Sequence, residues 1–300
     1  MRPAFLELLE QNRLTQRTEE AFEHLKSCDL CGWKCKVDRT AKKLGVCKTA
    51  IAALVHSYAP HFGEEKPLRG WGGSGTIFFS SCNMRCVYCQ NYEISQLRQG
   101  REVTATEIAM MMLDLQHRGC HNINLVSPSH VIPSIIAAIS IAAEKGLHIP
   151  IVYNSGGYDS IEGLALLDGI IDIYMPDMKY ASANLARKYS RIPNYPAVNQ
   201  TAVKEMYRQV GDLVLDENGI AQKGLLIRHL VLPNNLAGSE QILRFIVEQI
   251  SPNTYLNIMA QYYPAFQARQ YPELNRPIKA SEYQKVLDMA HSLGLVRLDG

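Results

Sequence analysis

The sequence predicts an α/β fold: a parallel sheet covered by helices and curved into a barrel or part of one. From Thr76 onward, short apolar runs alternate with polar loops and amphipathic stretches. Six such runs occur, and the intervals between most of them hold a helical pattern, as right-handed crossovers between parallel strands require. Three hundred residues with 47% apolar side chains supply a substantial core and fit one main domain with an appendage.

In order, the chain begins with helical patterns over residues 4–11 and from Thr18, where Glu19 and Glu20 precede Phe22 and Leu25 on one face. Cys28, Cys31, Cys35 and Cys47 follow as C-x2-C-x3-C-x11-C. Four thiolates make a closed metal site, more structural than catalytic, and both zinc and a 4Fe-4S cluster accept that ligand set. Lys34, Lys36, Arg39, Lys42, Lys43 and Lys48 around it stabilise thiolates or form a solvated surface. Residues 70–75 hold four glycines and lead into the first strand; Glu64 and Glu65 stand beside them within reach of a site mouth, where loop carboxylates are ordinarily solvated.

The six apolar runs are Ile77–Phe79, Ile123–Val126, Ile151–Tyr153, Ile171–Met175, Leu225–Leu232 and Leu256–Met259. Helical patterns cover Thr104–His117, Pro133–Lys145, Ile161–Leu167, a two-part stretch over Ala183–Val210, and Ser239–Ile250. Asp216-Glu217-Asn218-Gly219 is a hairpin signal, so a small β-ribbon precedes the fifth strand. The chain divides into an N-terminal helical and cysteine-rich metal-binding segment (1–70), the barrel (71–265), and a C-terminal loop and helix packed on it (266–300).

Thirty-one basic against 29 acidic side chains, a net charge of +2, argue against a dedicated nucleic-acid binder. No apolar run approaches the roughly 20 residues of a membrane helix, and acidic residues occupy the place of a signal-peptide centre, so the expectation is a cytoplasmic protein. Seven of the eight cysteines fall before residue 90 at short spacings, which in a reducing compartment reads as metal ligation.

The stretch that carries chemistry is Thr76–Asn91. Cys82, Cys86 and Cys89 are spaced C-x3-C-x2-C directly after the first strand. Three thiolates leave a cubane 4Fe-4S cluster one ligand short, and no Cys or His follows at ordinary zinc spacing. These residues resemble the CxxxCxΦC loop of the radical S-adenosylmethionine (SAM) superfamily, with Tyr88 at the aromatic position. The resemblance implies an open (β/α)6 partial barrel, a 4Fe-4S cluster on Cys82, Cys86 and Cys89, and SAM bound through its amino and carboxylate groups to the open iron. It further implies reductive cleavage to methionine and a 5′-deoxyadenosyl radical that abstracts hydrogen from a substrate.

In parallel barrels the reacting groups gather at the C-terminal strand ends. The second end gives Ser127-Pro128-Ser129-His130, without the Gly-Gly-Glu stretch that many members of the superfamily place there; Ser127, Ser129 or their backbone carbonyls are the groups available for the SAM amino group, while His130 either acts near the radical or caps the next helix. The third gives Asn154. The fourth gives Asp177 and Lys179, an anion and a cation suited to an amino-acid zwitterion, which match the Asp-x-Lys of glycyl-radical-enzyme activases. The fifth gives Arg228, similar to the activase Arg that approaches SAM; His229 alternates with it, so only one of the two faces the barrel interior.

Together with SGTIFFSSCNMRCVYCQNYEIS, NINLVSPSH, IYMPDMKY and IRHLVLP, these features resemble iron–sulfur proteins related to pyruvate formate-lyase activating enzymes. The leading expectation is a radical SAM oxidoreductase acting on a protein or peptide, served by a flavodoxin or ferredoxin electron donor. A small-molecule radical enzyme, or a non-catalytic iron–sulfur or zinc adaptor, are the alternatives.

Overall fold

The computed structural model describes residues 1–299. Its strands are β1 (Ala53–His61), β2 (Ser74–Phe79), β3 (Arg101–Val103), β4 (Ile123–Val126), β5 (Ile151–Ser155), β6 (Ile173–Pro176), β7 (Val214–Leu215), β8 (Ala221–Leu230) and β9 (Tyr255–Met259). Parallel pairing runs in the order β2-β4-β5-β6-β8-β9. All six predicted runs are therefore parallel strands in chain order, and the sheet stays open because β9 pairs β8 while β2 is bordered on its other side by β1. β7 pairs antiparallel with β8 across the predicted Asp216–Gly219 turn.

Each strand alternates between two apolar environments. Ile123, Leu125, Ile151, Tyr153, Tyr174, Leu225, Ile227 and Leu256 pack in the large core under the covering helices. The alternate positions face the barrel interior. Lower down these are Val152, Ile173, Met175 and Leu226, packed with Leu68; toward the strand ends they are Asn154, Arg228 and Asn257, which line an open cavity. The interior thus changes from a dry floor to a polar mouth along one register.

The covering helices begin where the sequence supplies caps. Thr104 and Glu107 form a capping box ahead of Ala105–His117, Ser160 caps Ile161–Leu167, and Ser182 caps Ala183–Ser190. The two-part stretch breaks between Ser190 and Tyr195, where Arg191 and Asn194 adopt left-handed backbone.

The segment before residue 70 is more integrated than its sequence indicates. Its helices, Phe5–Glu10 and Arg13–Glu23, pack on Ile132–Glu144, and Phe5, Leu8, Leu14 and Leu25 belong to the main core. Residues 53–61 form β1, antiparallel to β2, with β3 on its outer edge. A boundary at residue 70 therefore falls inside one continuous sheet. A short helix, Lys66–Arg69, then carries Leu68 into the barrel floor, where its backbone carbonyl accepts from the Asn122 amide at 2.7 Å. Among the described residues no helix is long and apolar enough to cross a membrane.

Leu68 is fully buried in that floor. Leu68→Ala should lower stability by about 2–5 kcal/mol, the usual range for truncating a core leucine, read as a fall in the urea midpoint with an unchanged m-value.

Candidate active site at the strand ends

The loop after β2 brings Cys82, Cys86 and Cys89 to one cavity of about 220 Å³. Tyr88, Ser127, Asn154, Asp177, Lys179 and Arg228 line the same cavity. Each thiol already has a polar neighbour: the Met84 N–H donates to Cys82 Sγ at 3.3 Å, the Ser190 hydroxyl donates to Cys86 Sγ at 3.0 Å, and the Ser95 hydroxyl lies 3.1 Å from Cys89 Sγ. Burial pushes the Cys82 thiol up to about 12 and the Cys86 thiol up to about 11. Thiols held that high ionise only against a compensating cation, which is what bound metal supplies.

Opposite the thiols is a buried ion network. Asp177 Oδ1 accepts from Arg228 Nε at 2.9 Å and Oδ2 from Lys179 Nζ at 2.5 Å, while Arg228 Nη2 donates to Asn154 Oδ1 at 2.7 Å. Burial opposes charge on all three ionic groups, but mutual attraction more than offsets it. Asp177 is held below the usual carboxylate range, and Lys179 and Arg228 above their ordinary values.

Backbone and aromatic contacts set these groups at one height. The Tyr195 hydroxyl accepts from the Lys179 N–H at 3.1 Å and lies within 3.0 Å of the Gly156 and Asp177 carbonyls. Asn199 Nδ2 donates to the carbonyls of Gly157 and Asp177. Gly157 has a φ of +71°, and a Cβ there would fall 2.2 Å from Asn199 Nδ2 and 2.3 Å from the Asp177 carbonyl, so glycine is required. Tyr88 closes the cavity's far side, edge-on to Tyr180 and Tyr262.

His229 faces the other way. It is fully buried, with Nδ1 2.7 Å from the Met178 carbonyl and Nε2 2.8 Å from Ser239 Oγ, so Arg228 is the inward member of the pair, as alternation requires.

Ser129 needs a correction: it does not share the cavity with Ser127. It sits against Asp159 and Tyr153 and lines a separate small cavity with Cys28, Cys31, Cys35 and Cys47. Ser127 adopts a φ of +60°, which breaks the strand alternation and turns the following residues away. His130 follows Ser129: its Nε2 is 3.0 Å from the Ser80 carbonyl, and burial pushes it down to about 4.

The four-cysteine segment abuts the cluster loop. Trp33 Nε1 donates to the Asn83 carbonyl at 2.6 Å, and the Asn83 side chain lies between Cys31 and Cys82, 3.8 Å from Cys82 Sγ. Arg39, read from the sequence as part of a solvated charge run, is 1% exposed, with Nη1 2.9 Å from the His130 carbonyl and 3.7 Å from Cys28 Sγ. The space among Cys28, Cys31, Cys35 and Cys47 is about 10 Å³. The sulfurs of each set line a common cavity, yet among the described residues no three His, Cys, Asp or Glu side chains converge as a set that holds a metal ion.

The sequence model described as the Radical SAM superfamily matches residues 76–198, which carry the cysteine loop and the ends of β2, β4, β5 and β6. An uncharacterised protein of Methanocaldococcus jannaschii is 30% identical over 297 residues, covering 97% of this chain and 82% of that one. The chain belongs to the radical SAM superfamily. The solved structure of HydG, a maturase of the FeFe-hydrogenase, superposes with a TM-score of 0.50 at 13% identity over 73% of this chain. Streptococcus suis SuiB bound to its precursor peptide SuiA gives 0.49 at 11% identity over 71%. This chain spans 48% of HydG and 43% of SuiB.

Radical SAM membership implies a 4Fe-4S cluster and SAM, and the residues fit both. Three thiols without a fourth, Cys86 buried and Cys82 and Cys89 half-buried, share one cavity with a paired anion and cation. Gly156 leaves room beside them: a Cβ there would come 2.4 Å from Met84 Sδ.

Removing the shared anion leaves two half-buried cations facing each other. Asp177→Asn should destabilise the chain by about 3–5 kcal/mol. Adding Arg228→Leu should recover part of that loss by removing the repulsion, and a double-mutant cycle in urea reads the coupling.

Proposed function

We propose that this chain is a radical SAM enzyme of the activase-like kind that abstracts hydrogen from a protein or peptide substrate. The observation that carries the reading is the single cavity shared by Cys82, Cys86, Cys89, Asp177, Lys179 and Arg228. When bound, the cluster and SAM supply one-electron cleavage to methionine and a 5′-deoxyadenosyl radical that takes a hydrogen atom from the substrate. The electron comes from a flavodoxin or ferredoxin donor.

The chain's own groups then have distinct tasks. Cys82, Cys86 and Cys89 would hold the cluster, and the hydroxyls of Ser190 and Ser95 would donate to or cradle its sulfur ligands, which tunes potential. Asp177 offers an acceptor for the SAM amino group, and Lys179 and Arg228 offer donors for its carboxylate. Ser127 and Asn154 line the same cavity between these two sides, and Tyr88 excludes water behind the loop. Access for a polypeptide is supported by the open side of the sheet between β1 and β9.

We infer that Cys28, Cys31, Cys35 and Cys47 hold a second metal, zinc or an iron–sulfur cluster. The 10 Å³ among them is roughly the room of one water, which supports a single ion such as zinc.

Anaerobic reconstitution should load about four irons on the three-cysteine loop, and dithionite with SAM should release 5′-deoxyadenosine. Cys86→Ala should abolish that release, and retained cleavage would refute the cluster assignment. In a chain lacking Cys82, Cys86 and Cys89, metal analysis should find about one zinc; iron with sulfide would assign a second cluster instead.

A further inference from the structure

The cysteine-lined cavity continues sideways into a larger one of about 570 Å³. Asn154, Arg228, Met259 and Gln261 belong to both. The far wall is the loop after β1, where Glu64 and Glu65 face Asn257 and Asp299. This volume suits a bound organic group.

Glu65 is only 5% exposed. Its Oε1 accepts from Asn257 Nδ2 at 3.0 Å and lies 3.9 Å from Arg228 Nη1. Its Oε2 is buried and makes no hydrogen bond of ordinary geometry, with the Glu64 carboxyl alongside. Arg228 is the sole basic side chain other than His61 among the described residues lining this cavity, and its short hydrogen bonds go to Asp177 and Asn154. Glu64 lies against Glu65, its cationic partner being His61 at 3.3 Å. Burial pushes the Glu65 carboxyl up, and its Glu64 neighbour adds to the shift.

Two adjacent buried carboxyls with an unanswered oxygen require either a shared proton or a cation. An organic cation entering the cavity displaces a shared proton and answers the oxygen with a charge-assisted hydrogen bond.

We propose that this lateral cavity is the substrate site, and that Glu64 and Glu65 anchor the substrate through an ammonium or guanidinium group, turning its neighbouring C–H bonds toward the cysteine-lined cavity. The direction of the C–H bonds rests on the radical reading above; the anchoring does not. The shared chemistry fits a lysine- or arginine-like side chain of a polypeptide or a free alkylamine.

The protein is titrated calorimetrically with Nα-acetyl-lysine methylamide, with its uncharged norleucine counterpart and with agmatine. The lysine probe should bind about tenfold or more tightly than the norleucine probe, the size of one charge-assisted contact. Glu65→Gln should erase that preference while leaving the norleucine affinity unchanged; the amide oxygen can still accept from Asn257. Equal binding of charged and neutral probes to the wild type overturns the proposal whatever the variant does, as does a preference that survives Glu64→Gln and Glu65→Gln together. Agmatine matching the lysine probe assigns a free amine as the natural source, whereas tighter binding of a lysine-containing peptide assigns a polypeptide; both support the anchor. The titration needs no cluster, so a wild type that fails to cleave SAM refutes the radical reading and leaves the anchor's result standing.

Discussion

The carboxylate of Asp177 is the constraint around which the site is built. It is buried at the end of β6, where an unpaired charge would cost several kcal/mol, and it is tolerated because Arg228 from β8 and Lys179 two residues on both reach it. The same short segment is bound by backbone to both neighbours: Asp177 N–H donates to the Ser155 carbonyl and Met178 N–H to the Arg228 carbonyl. Three strand ends are thereby fixed at one level. The paired charges cannot relax without disturbing the sheet register, so the polar groups facing the cysteines are preorganised rather than assembled on binding.

What the sequence reveals depends on whether backbone geometry is regular at the residue concerned. Inside strands, period-two alternation holds, and it separates Arg228 from His229 and places Asn154 inward. Beyond the strand end it fails. At Ser127 the chain turns into left-handed backbone, so Ser129, grouped with Ser127 by its place after the second strand, lies beside the four-cysteine segment. β1 escapes the sequence reading for a related reason. It is an antiparallel addition with an irregular register between Val55 and Ser57 and exposed outer positions, so neither a continuous apolar run nor clean alternation marks it.

Arg39, Glu64 and Glu65 illustrate a second limit. Charged residues in glycine- or lysine-rich loops are ordinarily solvated, and nothing in their local sequence contradicts that. Their burial is a long-range property: Arg39 is enclosed by Ala50 and His130, and Glu65 by Asn257, 192 positions away. The serines beside the thiols and the Tyr195–Asn199 support belong to the same class. Each is an ordinary helix or loop residue until the fold brings it against a cysteine or a strand-end carbonyl.

The open sheet gives these long-range contacts their meaning. In a closed barrel the gap between first and last strands is sealed by backbone hydrogen bonds, and a ligand enters from the top alone. Here β1, which flanks β2, does not pair with β9, and the Glu65–Asn257 contact links the loop after β1 to β9 by side chains. A side-chain link leaves the cavity accessible laterally, and it places carboxylates where a sealed barrel would have backbone. The polarity of that flank follows from the topology: residues lining an unpaired gap cannot all be apolar without exposing a hydrophobic seam. The choice of glutamate rather than a neutral amide is not dictated by topology, and so it is the feature that points to a bound cation.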